Sequence, residues 1–323
     1  MVQMCLLLDL QSMMARAWSR IAAIFLLSKP PARATGNTLE AIIKRHFAIL
    51  VTAVLIVWGV APWNGSLKSQ TANAAELSRS HVLGFSGNGR YFVFEEFGIQ
   101  DGSGIPYANL YVIDVETDRW LKGTPIRLKG TEAESLALEK SLSEDGITDQ
   151  QQIERRFEAA LEDKRNEVKT KAASVLAAIG DLWPAFQQAH NPPFEFTSDA
   201  KTVRFSGVGY QNLVNSEHTA KGWRLEVEEK VFPANENCFS LYENMKGFTL
   251  TLTNEKSGAK TVLNNDTRIP NSRSCPQGYH IEEVLTFPRG GGRFSLAVLI
   301  RYGRPGFEGP DGRLLAVTKP VTP

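Results

Sequence analysis

Three carboxylates, Glu95, Glu96 and Asp101, follow directly on an apolar aromatic run, Tyr91-Phe92-Val93-Phe94. Two carboxylates at a strand end can divide the work of general acid and base, or hold a calcium ion. Strand-end carboxylates are more often simply solvated, and the alternating Asp/Asn spacing of a calcium loop is missing from Asp101-Gly102-Ser103-Gly104. Other chemistry finds less support. There is no Gly-x-Ser-x-Gly elbow, and His81, His190, His218 and His280 are too scattered for a His-Glu-x-x-His type of metal site. Gly290-Gly291-Gly292 lacks the Lys-Ser/Thr of a phosphate loop and reads as a turn. No metal or cofactor is expected.

The stretch that must position these residues is Val82 to Leu128, the densest strand signal in the chain. Gly87-Asn88-Gly89 predicts a tight two-residue hairpin turn into Arg90 to Phe94. Leu110 to Ile113 is a second apolar run, turned by Glu116-Thr117-Asp118 into a strand from Trp120 to Leu128. Beyond it the period changes to about 3.6. Thr131 to Glu134 and Thr148 to Gln151 read as capping boxes, and Ile153, Phe157, Leu161, Val168, Val175 and Ile179 fall near one stripe that Gly180 would end. Strands then return at Trp223 to Phe232, Gly247 to Thr253, Lys260 to Leu263, Phe294 to Arg301 and Leu314 to Val317.

An internal likeness runs through these strands. FTSDAKTVRF from Phe196 aligns without a gap on FSGNGRYFVF from Phe85, and a third copy starts at Val284. The Phe-Ser-x-Asn-Gly-Arg unit resembles the blade motif of Tol-type and WD40-like β-propellers. Three copies are fewer than a closed propeller needs, so a sandwich and a propeller-like sheet stay open. The expected class is mainly β, with antiparallel sheets and an α-helical insertion. The chain divides into an N-terminal extension with signal peptide (1–74), a first β unit (75–129), the helical insertion (130–190) and a second β region completing the same domain (191–323).

Lys44-Arg45-His46 followed by FAILVTAVLIVWGVA from Phe47 reads as an export signal. Ala72-Asn73-Ala74 fits a signal peptidase, with cleavage after Ala74; an uncleaved anchor is the alternative and would be the only membrane attachment. The product is then periplasmic or secreted. Cys5 falls in the removable part, which leaves Cys238 and Cys275 to pair as a disulfide in an oxidising compartment. Residues 1–74 hold seven Lys or Arg against two Asp or Glu; of the 36 and 35 in the chain, the rest keeps 29 against 33. A body with a net charge of −4 has no concentrated basic face for nucleic acid.

GFSGNGRYFVFEEFGIQDGSGIPYANLYVIDV from Gly84, GTPIRL from Gly123, SRSCPQGYHIEEVLTF from Ser272 and GFEGPDGRLLAVT from Gly306 together resemble a family of bacterial predicted secreted proteins, a domain of unknown function. The resemblance implies export and a shared fold, and lends no catalytic residue. Glycine-rich loops occur at Gly98 to Ala108 and Gly303 to Gly312, in matched places of two copies. They place Tyr107, Asn109, Phe307, Glu308 and Asp311 as candidate binding residues. The leading expectation is a non-enzymatic binding or envelope-associated module with a protein or glycan partner. A hydrolase built on Glu95, Glu96 and Asp101 is the rival, and a purely structural stabiliser the plainest reading.

Overall fold

The computed structural model describes residues 76–191, 200–206, 222–236, 238, 243–307 and 309–322. The export signal, Ala72, Ala74, His218 and Glu308 lie outside the described residues, as do residues 196–199 at the start of the Phe196 copy.

Among the described residues, fourteen strands build three antiparallel sheets. The first sheet runs β4 (Arg119–Trp120), β3 (Pro106–Asp114), β2 (Tyr91–Ile99), β1 (Arg79–Ser86), β6 (Leu182–Trp183), with β5 (Ile126–Lys129) also on β3. The second runs β14 (Pro310–Val321), β13 (Arg293–Pro305), β12 (Gly278–Gly290), β7 (Phe186–His190). The third runs β11 (Lys260–Asn265), β10 (Asn244–Asn254), β9 (Trp223–Pro233), β8 (Thr202–Phe205).

The sheets stack in layers. Phe85, Phe92, Phe94, Tyr111 and Ile113 of the first sheet pack on Leu285, Phe287, Ala297, Leu299 and Leu314 of the second. Phe294, Leu296, Val298 and Ile300, on the other side of β13, pack on Leu225, Val227, Phe248, Leu250 and Leu252 of the third sheet. The second sheet is therefore covered on both faces, which is why Phe294 to Ile300 reads as an almost unbroken apolar run. Face-to-face layers of this kind make a sandwich rather than the radial blades of a propeller. The first and third copies of the repeated hairpin, β1–β2 and β12–β13, meet across a core instead of joining edges.

A long helix covers the outer face of the first sheet, and a shorter one before it packs on that helix. Helix α1 (Glu132–Glu144) starts with the capping box expected at Thr131, whose Oγ1 accepts from Glu134 N at 3.1 Å while Glu134 Oε2 accepts from Thr131 N at 2.7 Å. Helix α2 (Gln150–Ile179) is capped one residue later than expected, by Asp149 rather than Thr148, and stops at Gly180. Leu161, Val168 and Ala172 bury its apolar face against Val93, Ala108, Leu110 and Val112.

Three readings are corrected. The first turn is a four-residue loop, 87–90, because Asn88 Oδ1 closes it onto Arg90 N at 3.0 Å and Ser86 Oγ takes Tyr91 N at 2.9 Å. Gly89 there has φ +71°, and an added Cβ would lie 2.8 Å from Ser295 Oγ, so the turn packs against β13 through a residue that must be glycine. The strand expected from Trp120 to Leu128 is broken at Leu121 to Pro125, and β5 returns to β3 further along. The helices end at Ile179, and residues 182–190, read with the helical insertion, are strands completing two different sheets.

One buried group makes the fold sensitive to acid. Nε2 of His280, on β12, is buried without a hydrogen-bond partner. Burial, and then the Arg301 charge, hold its pKa down to about 4; Lys201 adds to this and Glu229 opposes it. The folded state thus keeps His280 neutral where the unfolded chain protonates it. Its stabilisation is complete above pH 6.5 and drains as pH falls toward 4, by at most about 3 kcal/mol. In denaturation series between pH 7 and 4, the His280→Asn variant is expected to lose less stability than the wild type. Parallel curves would show that His280 titrates normally.

Candidate functional site

Strand alternation decides the fate of the acidic pair. Phe92, Phe94 and Glu96 point toward the second sheet, while Val93, Glu95 and Phe97 point toward α2. Glu95 is fully buried and is neutralised from the helix side, by Arg165 at 2.9 Å and Lys169 at 3.7 Å, with His81 Nδ1 at 3.2 Å. It is a docking point for α2. Glu96 accepts from Leu314 N at 2.9 Å, the Tyr111 hydroxyl at 2.9 Å and Asn109 Nδ2 at 3.3 Å. Asp101 lies beyond, in the turn after β2, with Oδ2 buried and unpartnered. The three carboxylates of the expected hydrolase do not share one cleft, because consecutive residues of a strand face opposite ways.

The two glycine-rich loops do come together. Gly102, at φ +73°, sits beneath the Phe307 ring, and an added Cβ would lie 2.9 Å from Phe307 Cδ1. Phe307 itself is 78% exposed. The other candidates belong to strands rather than loops: Tyr107 and Asn109 lie on β3, and Asp311 on β14. Tyr107 is buried. Its hydroxyl accepts from Arg313, whose guanidinium also stacks 4.4 Å from its ring centroid.

Arg313 is the hub that sequence reading missed. It makes a bidentate pair with Glu76, at 2.7 and 2.9 Å, with both side chains buried. This pair fastens Glu76 to Ser78 along β14, where Ser78 N and Gly312 N exchange backbone hydrogen bonds with Gly312 O and Glu76 O. Burial raises the Glu76 carboxyl above its ordinary range, and the Arg313 and Arg304 charges draw it back. Asp311 is raised too, by burial and then by Glu76, with Asp101 adding to the crowding of negative charge and Arg304 opposing it.

Between these strands lies a cavity of about 380 Å³. Glu96 of β2, Tyr107, Asn109 and Tyr111 of β3, Arg127, Leu128 and Lys129 of β5, Tyr302 and Arg304 of β13, and Arg313 of β14 line it, together with Gln100 and Ser272. Its size is within the range of small-ligand sites, roughly 300–1,000 Å³. Burial, followed by the nearby Glu96 charge, raises the Tyr111 and Tyr302 hydroxyls well above their ordinary pKa, so both stay protonated at neutral pH.

These features define a layered, multi-sheet β-sandwich with a helical cover and an aromatic, cation-bearing cavity beside a pair of exposed loops. Within that class the chain belongs to the family of predicted secreted proteins described as DUF2259, whose match spans residues 93–319. No curated protein and no solved structure matches it. The family assignment agrees with the resemblance drawn from Gly84, Gly123, Ser272 and Gly306 onward.

Proposed function

We propose that the protein is a non-enzymatic binding module working outside the cytoplasm, in the periplasm or cell envelope, and that it meets a protein or glycan partner through the loop pair and the adjoining cavity. The observation that carries this reading is Phe307. A large apolar ring held 78% exposed by a glycine seat is costly to keep in water and useful at an interface. Phe307→Ala is expected to leave the melting temperature unchanged while reducing partner recovery from an envelope extract at least tenfold. Recovery equal to wild type would remove the loop pair from the binding face. Tyr107, by contrast, is a poor probe of binding, since its loss would strip a buried partner from Arg313.

Export through a cleaved signal suits the start of the fold. Glu76 is already locked to Arg313, so a cut after Ala74 leaves the described domain whole. N-terminal sequencing of the exported protein is expected to begin at Ala75. A start within residues 1–46 would mean that the hydrophobic segment is retained as an anchor.

A further inference from the structure

The cavity beside the loop pair is lined mainly by hydrogen-bonding side chains, one of which keeps a buried donor without a protein partner. Arg304 Nε is buried without a partner. Tyr302, only 6% exposed, lines the same cavity. The Arg304 guanidinium pairs with Asp311 at 3.6 Å, and a buried polar atom left unmatched carries a free-energy cost that a ligand in the cavity would offset.

The charge at the same opening has a sign. Arg127 and Lys129 stand two apart on β5 and so share one face. Among the described residues neither has a carboxylate partner. Arg127 is also held in place, its guanidinium 5.2 Å from the Trp120 ring centroid and 5.9 Å from that of Tyr111. A stacked guanidinium keeps its donor fork free and pre-aimed at a planar or tetrahedral anion. The one carboxylate in the lining, Glu96, spends both oxygens on three protein donors. Arg304 and Arg313 in the same wall are paired with Asp311 and Glu76, Leu128 is apolar, and Gln100, Asn109 and Ser272 beside the tyrosines supply neutral hydrogen-bonding groups.

From this geometry we infer that the cavity binds a small anionic saccharide, its carboxylate or phosphate taken by Arg127 and Lys129 and its hydroxyls by Tyr302, Asn109 and Gln100. The inference rests on the binding-module reading and supplies its ligand class. A cavity of about 380 Å³ sets the size at one or two sugar rings.

Calorimetric titration of the full chain at low salt tests it, with glucuronate and glucose 6-phosphate as charged probes and glucose and inorganic phosphate as controls. At least one charged sugar is expected to bind tenfold or more tightly than either control, and the preferred one tells a carboxylate from a phosphate ligand. Arg127→Ala/Lys129→Ala should lower that affinity at least tenfold at an unchanged melting temperature, and Tyr302→Phe by a smaller factor. Glucose binding as well as the charged sugars would overturn the anionic part, and phosphate binding as well as glucose 6-phosphate the saccharide part. Failure of every probe to bind, or wild-type affinity in the double variant, would overturn the inference whole. The loop-pair reading is judged separately, by partner recovery with Phe307→Ala.

Discussion

Arg301→Leu is expected to destabilise the protein by about 3–5 kcal/mol, because it strands a buried carboxylate. Arg301 and Glu282 face each other across β12 and β13 with side chains 3% and 4% exposed. Arg301 donates to both Glu282 oxygens, one of them at 2.8 Å, and to the Ser78 carbonyl at 2.7 Å. Burial lifts the Glu282 carboxyl above its ordinary pKa and Arg301 draws it back, so removal of the cation leaves a carboxylate that must either stay charged without its partner or take up a proton. The Ser78 carbonyl loses its donor as well. Exchanging both partners, Arg301→Leu with Glu282→Leu, should recover most of the loss, since an apolar pair leaves no stranded charge. Denaturant midpoints of the three proteins decide the matter. A single variant within about 1 kcal/mol of wild type would mean that water or a neighbour already serves Glu282.

The second large effect concerns Cys238 and Cys275, joined as the cysteine count led one to expect. The bond ties the loop after β9, in the third sheet, to the segment entering β12, in the second, and is buried with Met245 beside Ala234 and Ile269. It spans 37 positions of sequence. Closing a loop of that length removes enough unfolded-state entropy to contribute about 4 kcal/mol. Cys238→Ala/Cys275→Ala should lose stability on that scale, and reducing agent should do the same to the wild type but nothing to the variant. Free thiols at both positions in the exported protein would contradict the pairing. Equal midpoints with and without reductant would show that sheet packing alone holds the two layers.

The acidic pair shows how much local sequence already contained. Glu95 and Glu96 follow Phe92-Val93-Phe94 in one strand, and a period of two sends them to opposite faces; that separation was available before any fold was known. Thr131 with Glu134, and Gly180 after an apolar stripe, were legible for a like reason, because caps and stops are built from neighbours in sequence. The break at Leu121 to Pro125 was less visible. Gly123, at φ +87°, and Pro125 interrupt a strand whose apolar residues alone look continuous.

Other features had no local signal. Nothing near Tyr107 or Asp311 marks them as strand residues in a polar cluster rather than loop contacts, since that depends on Arg313 reaching Glu76 across 237 positions. The stack of three sheets was equally hidden. Alternation shows that a strand has a buried face, but not which other sheet covers it.

Read alone, the amino-acid order determined the strand-rich class, the two helices and the cysteine pair, because each depends on short-range periodicity, on caps, or on residue counts in a compartment, and the family of predicted secreted proteins followed from the matching stretches themselves. The tertiary structure alone decided that Arg127, Lys129, Tyr302, Arg304 and Arg313 share one cavity and that Glu95 and Asp101 stand apart from it. The reason is physical: a site made by the crossing of β5, β13 and β14 is set by which buried faces match in shape and charge. That match is a property of the assembled layers and of no single segment.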